Sequence, residues 1–182
     1  MFSRRDVLKK TGASLVAVGA LAAPGLVRAA DATKPVLASP KDGELLNSLL
    51  AAEFETIAAY QAGIDGGQMQ QPGLNMALLF QSHHKAHRDA LIAEIRKLNV
   101  QPAPAATTHN FETPKSQSDA LDLTAKRESG TINAILVALP FFTDRALAKL
   151  AGRMLADDVM HWTSLMAVQQ KPLPADPLTF GS

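Results

Sequence analysis

The chain contains no cysteine among its 182 residues. This absence excludes disulfide bonds, thiolate metal sites and iron–sulfur clusters. No block of basic residues follows residue 29, so the sequence does not favour nucleic-acid binding. A mildly apolar run from Thr11 to Val27 is interrupted by Pro24 and is short for a membrane-spanning helix. Because disulfide bonds are excluded, stability must come from packing, together with any metal that the chain binds.

The N-terminus resembles a twin-arginine export signal, because residues 3–9 read Ser-Arg-Arg-Asp-Val-Leu-Lys, with Val7 where that signal usually has phenylalanine. Small-residue cleavage patterns follow it, at Val27 with Ala29 or at Ala30 with Ala32. We expect residues 1–30 to be a signal peptide that the twin-arginine export machinery recognises. Residues 31–182 would then be a periplasmic domain that is free of the membrane after cleavage. An uncleaved N-terminal anchor is the alternative.

Removal of the signal changes the charge of the chain. Residues 1–29 hold five bases and one acid, so their loss takes the net charge from +1 to about −3. The roughly 150 residues that remain suit one domain with one core.

Apolar residues recur at alternating steps of three and four in four stretches, which predicts four amphipathic helices. Their expected bounds are about 45–63, 74–98, 119–139 and 144–169, with Thr143 or Asp144 as the cap of the fourth. The long proline-containing segment between the second and third helices predicts a crossover that travels the length of a bundle. The tail from Lys171 contains three prolines and should be coil.

Charged and polar residues interrupt the apolar stripes at repeated positions. Asp158 and His161 lie three apart on the fourth helix, as His84 and His87 do on the second. Glu53 precedes His87 by 34 residues, and Glu128 precedes His161 by 33. A buried carboxylate and imidazole form either a satisfied hydrogen bond or a metal site. Because the arrangement occurs twice, the repeat favours metal.

Some neighbouring residues leave alternatives open. Glu55 lies about 200° round the helix from Glu53 and should face water. His83 is spaced four residues from His87 and is an alternative to His84. Tyr60 is either a core residue or a donor beside the metal, and His109 falls in the crossover and is not counted as a ligand.

These residues resemble the ferritin-like superfamily, and within it the exported bacterial members that are distantly similar to rubrerythrin and bacterioferritin. The matching positions in that family are a glutamate on helix one, Glu-x-x-His on helix two, a glutamate on helix three and Glu-x-x-His on helix four. The resemblance implies an all-α, ferritin-like four-helix bundle with one long crossover between helices two and three. It also implies one or two iron or manganese ions per chain. The six predicted ligands are Glu53, His84, His87, Glu128, Asp158 and His161.

Two positions depart from the family pattern. His84 stands where the family has a bridging glutamate, and Asp158 is one methylene shorter than its counterpart. An imidazole cannot bridge two ions as a carboxylate does, so the ligand charge is −3 where the family has −4. Mixed nitrogen and oxygen ligands suit iron, manganese, zinc or copper.

The function implied by the resemblance is metal binding, with possible oxidation of iron or reduction of oxygen or peroxide. The alternative is a non-catalytic, structural or stress-protective bundle whose metal is absent or only stabilising. Without a fifth helix, a monomer or dimer is expected instead of a ferritin shell.

Overall fold

The computed structural model describes residues 39–109 and 111–181, with Pro40 described only by its place in a helix. Within these residues there are four α-helices and no strand, which confirms the all-α prediction. The helices are α1 (Pro40–Asp65), α2 (Gly73–Lys97), α3 (Gln117–Ala138) and α4 (Arg145–Val168), with a 3-10 turn at Leu139–Phe141. No helix in this part of the chain is both long and apolar enough to span a bilayer. The signal peptide predicted for residues 1–30 lies outside the described residues.

Helix α1 begins at Pro40, earlier than the predicted start near Leu45, because a capping box precedes it. The Asp42 backbone N–H donates to Ser39 Oγ at 3.3 Å, and the Ser39 N–H donates to Asp42 Oδ2 at 2.8 Å. Asp42 also accepts a 2.8 Å hydrogen bond from the backbone N–H of Thr143. Burial would raise the pKa of Asp42, but the hydrogen bonds from Thr143 and Ser39 lower it below its ordinary value. The start of α1 is thus fastened to the turn before α4.

Side-chain caps also fix the starts of α3 and α4. Ser116 Oγ accepts from the N–H of Asp119 at 3.1 Å. Asp144, one of the two predicted caps, accepts from the N–H groups of Ala146 at 2.6 Å and Leu147 at 3.3 Å.

The four helices form a bundle in which α1 packs against α2 and α3, and α4 packs against α3 and, more sparsely, α2. The segment between α2 and α3 runs along α1, as predicted for a crossover. Near its start, Asn47 on α1 binds the carbonyl of Gln101 at 3.0 Å. Further along, His109 Nδ1 lies 2.9 Å from Glu55 Oε1. The predicted bundle with one long crossover is confirmed.

Two apolar clusters lie along the bundle, and the six predicted ligands fall between them on every helix. One cluster comprises Leu46, Leu49, Leu50, Leu91, Ile95, Ile135, Ala138, Leu147, Ala151 and Met154. The other comprises Tyr60, Met69, Ala77, Phe80, Ala120, Leu121, Ala125 and Leu165. A polar layer is thereby enclosed between two dry regions of the core, where each polar atom needs a partner.

Candidate metal centre

The polar layer contains all six predicted ligands. These residues are almost inaccessible to solvent, with His87 the most exposed at 8%. Their ligand atoms form two overlapping groups, in each of which one atom from every residue lies within 4.8 Å of the others. The first group is Glu53, His84 and His87, and the second is His84, Glu128, Asp158 and His161. The helix repeat therefore brings together residues that are far apart in the sequence.

His84 lies between two carboxylates. Its Nδ1 is 2.7 Å from Glu53 Oε2, and its Nε2 is 2.9 Å from Glu128 Oε1. Both ring nitrogens must carry a proton to donate to both carboxylates, so this geometry is that of an imidazolium. Burial opposes the charge, but the hydrogen bonds to Glu128 and Glu53 hold the pKa of His84 well above its ordinary value.

Glu128 is held from several sides. Tyr60 donates its hydroxyl proton to Glu128 Oε1 at 2.5 Å, so this tyrosine is both a core residue and a donor to a predicted ligand. Burial would raise the pKa of Glu128, but the imidazoles of His161 and His84 lower it to about 2. Burial, with the charge of Glu128, raises the pKa of Tyr60 well above its ordinary value, so the phenol remains a donor.

Asp158 lies at the middle of the three imidazoles. Its Oδ1 is 3.9 Å from His84 Nδ1, 3.7 Å from His87 Nδ1 and 3.9 Å from His161 Nδ1. These separations are too long for hydrogen bonds, and neither carboxylate oxygen of Asp158 has a hydrogen-bond partner. Burial and the charge of Glu53 raise the pKa of Asp158 to about 8.

Several of the buried atoms without hydrogen-bond partners are atoms that a metal would use. Besides the two oxygens of Asp158, they include Glu128 Oε2 and the Nδ1 atoms of His87 and His161. Atoms bound to one ion at 2.0–2.2 Å lie about 3.0–3.5 Å from one another. Glu128 Oε1 and His161 Nδ1 are 3.3 Å apart, and Glu53 Oε1 and His87 Nδ1 are 3.5 Å apart. The residues present therefore fit a divalent cation in both chemistry and spacing.

His83 and Glu55, which were weighed beside His84 and Glu53, lie outside this centre. His83 is partly exposed, belongs to neither ligand group, and contacts His161 Nε2 through its Nδ1 at 2.9 Å. Burial and the neighbouring His161 lower the pKa of His83. The side chain of Glu55 is 27% exposed and faces His109, whereas Glu53 is 1% exposed, as their helical phases predicted.

One residue that matters to the site was missed at the sequence level. Asp157 Oδ2 lies 3.2 Å from His87 Nε2, although the side chain of Asp157 is 51% exposed. It falls off the apolar stripe of α4, so periodicity gave no signal for it. Its only mark in the sequence is that it precedes Asp158 directly.

A cleft between α2 and α4 reaches the edge of the centre. It encloses about 370 Å³ and is lined by His83, Ala86, His87, Ala90, Leu150, Arg153, Met154 and Asp157. Because His87 belongs to both the cleft and the centre, a small solute in the cleft would contact a predicted ligand directly.

A bundle of this topology, with carboxylates and imidazoles from all four helices in its core, defines the ferritin-like class of helical proteins. The ferritin-like domain model matches residues 41–171, and the chain belongs to this family. In fold it is similar to a conserved hypothetical protein of Mycobacterium tuberculosis, with a TM-score of 0.64 and 21% identity, over 75% of this chain and 96% of that one. A search of curated proteins finds no significant match.

Proposed function

We propose that this protein is an exported metal-binding bundle that holds a divalent cation, iron first and manganese second, in the layer of the six predicted ligands. The observation that carries the proposal is the buried Asp158 carboxylate, which has no hydrogen-bond partner for either oxygen. Such a group is costly in a protein core unless it binds a cation. The unpartnered Nδ1 atoms of His87 and His161 lie 3.7 and 3.9 Å from its Oδ1.

In this proposal, Glu53, His87, Glu128 and His161 are terminal ligands. Asp158 would be the residue to span two ions, since His84, as a neutral imidazole, would hold one ion through one nitrogen and could not span two. We therefore expect one tightly held ion and a second that is weak or absent. Bound iron would supply redox chemistry toward oxygen or peroxide. The chain would supply the dry pocket, the Tyr60 hydroxyl beside Glu128, and the cleft at His87.

The direct test compares two glutamates that are two residues apart. Glu53→Gln should substantially lower the iron or manganese retained per chain, because it replaces a buried carboxylate within 3.5 Å of His87 Nδ1. Glu55→Gln is the matched control and should leave metal content near that of the wild type, because Glu55 faces the crossover. The measurement is elemental analysis of protein purified from its exporting host. Equal losses in the two variants would contradict the assignment of the centre.

Export is the second part of the proposal and rests on the Arg4-Arg5 pair. Twin-arginine export generally carries folded proteins, which suits a centre assembled from four helices. Changing both residues to lysine should abolish appearance of the mature-length chain in the periplasm. The measurement is fractionation followed by detection of the two chain lengths. Mature protein in the periplasm of the double variant would show that another route carries it.

A non-catalytic bundle is the second candidate, and the geometry of His84 favours it. An imidazolium between Glu53 and Glu128 already neutralises much of the buried charge without any metal. If this candidate is right, the thermal stability of the protein does not depend on metal. Adding iron should then not increase the rate at which the protein consumes oxygen or peroxide.

A further inference from the structure

His87 and His161 are the two predicted ligand imidazoles that do not lie between Glu53 and Glu128, and they share one orientation. Both turn Nδ1 toward the carboxylates of the centre. His87 Nδ1 lies 3.5 Å from Glu53 Oε1 and His161 Nδ1 lies 3.3 Å from Glu128 Oε1, and Asp158 Oδ1 is 3.7 and 3.9 Å from the same two nitrogens. Both turn Nε2 away from the centre toward a polar side chain. The contact of His87 Nε2 is Asp157 Oδ2 at 3.2 Å, and that of His161 Nε2 is His83 Nδ1 at 2.9 Å.

These outer contacts cross between helices. Asp157 is on α4 and holds an imidazole of α2, whereas His83 is on α2 and holds an imidazole of α4. The two supporting residues also directly precede Asp158 and His84 in the sequence. On each of these helices, the residue directly before a predicted ligand therefore supports a predicted ligand of the opposite helix. The supports line the cleft between α2 and α4.

The chemistry of the supports fixes which ring nitrogen is free. An ionised carboxylate only accepts hydrogen bonds, so Asp157 requires a proton on His87 Nε2 and leaves the Nδ1 lone pair available. When His83 carries its proton on Nε2, its Nδ1 accepts from His161 Nε2–H, and Nδ1 of this second ligand is then free as well. A hydrogen bond to the outer nitrogen fixes both the tautomer and the direction of a metal-binding histidine.

We propose that His83 and Asp157 are positioning residues that present Nδ1 of His161 and Nδ1 of His87 to a divalent cation, an inference that rests on the metal centre proposed above. Neither residue touches the cation itself. Their loss should weaken binding while leaving all six ligands in the chain.

Paired substitutions separate the hydrogen bond from the bulk of the side chain. Asp157→Leu and His83→Leu remove the acceptor, and each should weaken zinc binding by about 10–100-fold. Asp157→Asn and His83→Asn keep an acceptor at the same distance along the side chain and should bind zinc nearly as well as the wild type. The matched control is Asp89, which is 66% exposed on α2 and pairs with Arg88. Neither Asp89→Leu nor Asp89→Asn should change the affinity.

The experiment uses the mature chain with Zn²⁺ as a diamagnetic probe. Affinity is measured by competition with a chelator, and the metal-bound ring nitrogen is identified by ¹H–¹⁵N correlation in protein labelled at histidine. Thermal unfolding of the metal-free variants confirms that each one folds. We expect zinc on Nδ1 of both His87 and His161 in the wild type and in the Asn variants.

Three results would overturn the inference. They are zinc on Nε2 of either histidine, Leu variants that bind as tightly as the Asp89 controls, and a wild type that binds no zinc. The proposed function is judged separately by retention of iron and manganese. Iron bound normally in a protein whose zinc sits on Nε2 would therefore defeat the inference and leave the metal centre standing.

Discussion

Asp158→Asn is expected to abolish tight metal binding and, at the same time, to stabilise the metal-free protein at alkaline pH. Asp158 is fully buried and its oxygens have no hydrogen-bond partner. The unfolded chain ionises this residue above its ordinary pKa of 3.8, whereas burial keeps it protonated in the folded protein up to about pH 8. Between those values folding becomes less favourable as the pH rises, and the amide removes this penalty.

The stabilising effect of Asp158→Asn depends on pH. At pH 8 the variant should be more stable than the metal-free wild type by a few kcal/mol, because each unit by which burial raises the pKa of Asp158 corresponds to about 1.4 kcal/mol. At pH 5 the gain should be much smaller. Loss of an outer support is expected to weaken metal binding by about 10–100-fold, and Asp158→Asn should weaken it by more than that. Chemical denaturation at both pH values and chelator competition provide the measurements. A variant that is less stable than the metal-free wild type at pH 8 would contradict the account of Asp158.

His84→Glu is expected to raise the number of metal ions bound per chain. The substitution restores the carboxylate that the family has at this position and brings the ligand charge from −3 to −4. In the metal-free protein the same change places a third carboxylate between Glu53 and Glu128, where an imidazolium now donates to both. The variant should therefore be strongly destabilised without metal and recover on loading with iron or manganese.

His84→Gln is the matched control for this experiment, because it removes the imidazolium without adding a ligand charge. It should lose stability without gaining metal. The measurements are metal per chain by elemental analysis and thermal unfolding of the loaded and metal-free forms. Two tightly held ions in the wild type would defeat the argument, because they would require a second bridging group. A His84→Glu variant that is unstable in every metal would mean that His84 is a core residue.

Periodicity predicted the helices and the faces that carry the centre because burial follows the helical repeat. It separated Glu53 from Glu55, and the structure places the first in the core and the second beside His109. The starts of the helices were less accurate. The capping box at Ser39 and Asp42 lies before the first apolar residue of the stripe, so the predicted α1 began too late.

The outer supports could not be predicted from the stripe. The contacts of Asp157 with His87 and of His83 with His161 depend on how α2 and α4 are rotated against each other. No local pattern in a single sequence specifies that rotation. The double contact of His84 has the same origin, since it depends on how closely α1 and α3 approach α2 in the core.

The six predicted ligands are divided between the two halves of the chain, which has a consequence for how the halves stay together. Glu53, His84 and His87 come from α1 and α2, and Glu128, Asp158 and His161 come from α3 and α4. The crossover is the one covalent tether between these hairpins, and an ion bound by both sets would be a second, reversible cross-link. If the crossover were cut, the two fragments would remain associated while the ion is bound. Chelation would then make their association depend on protein concentration.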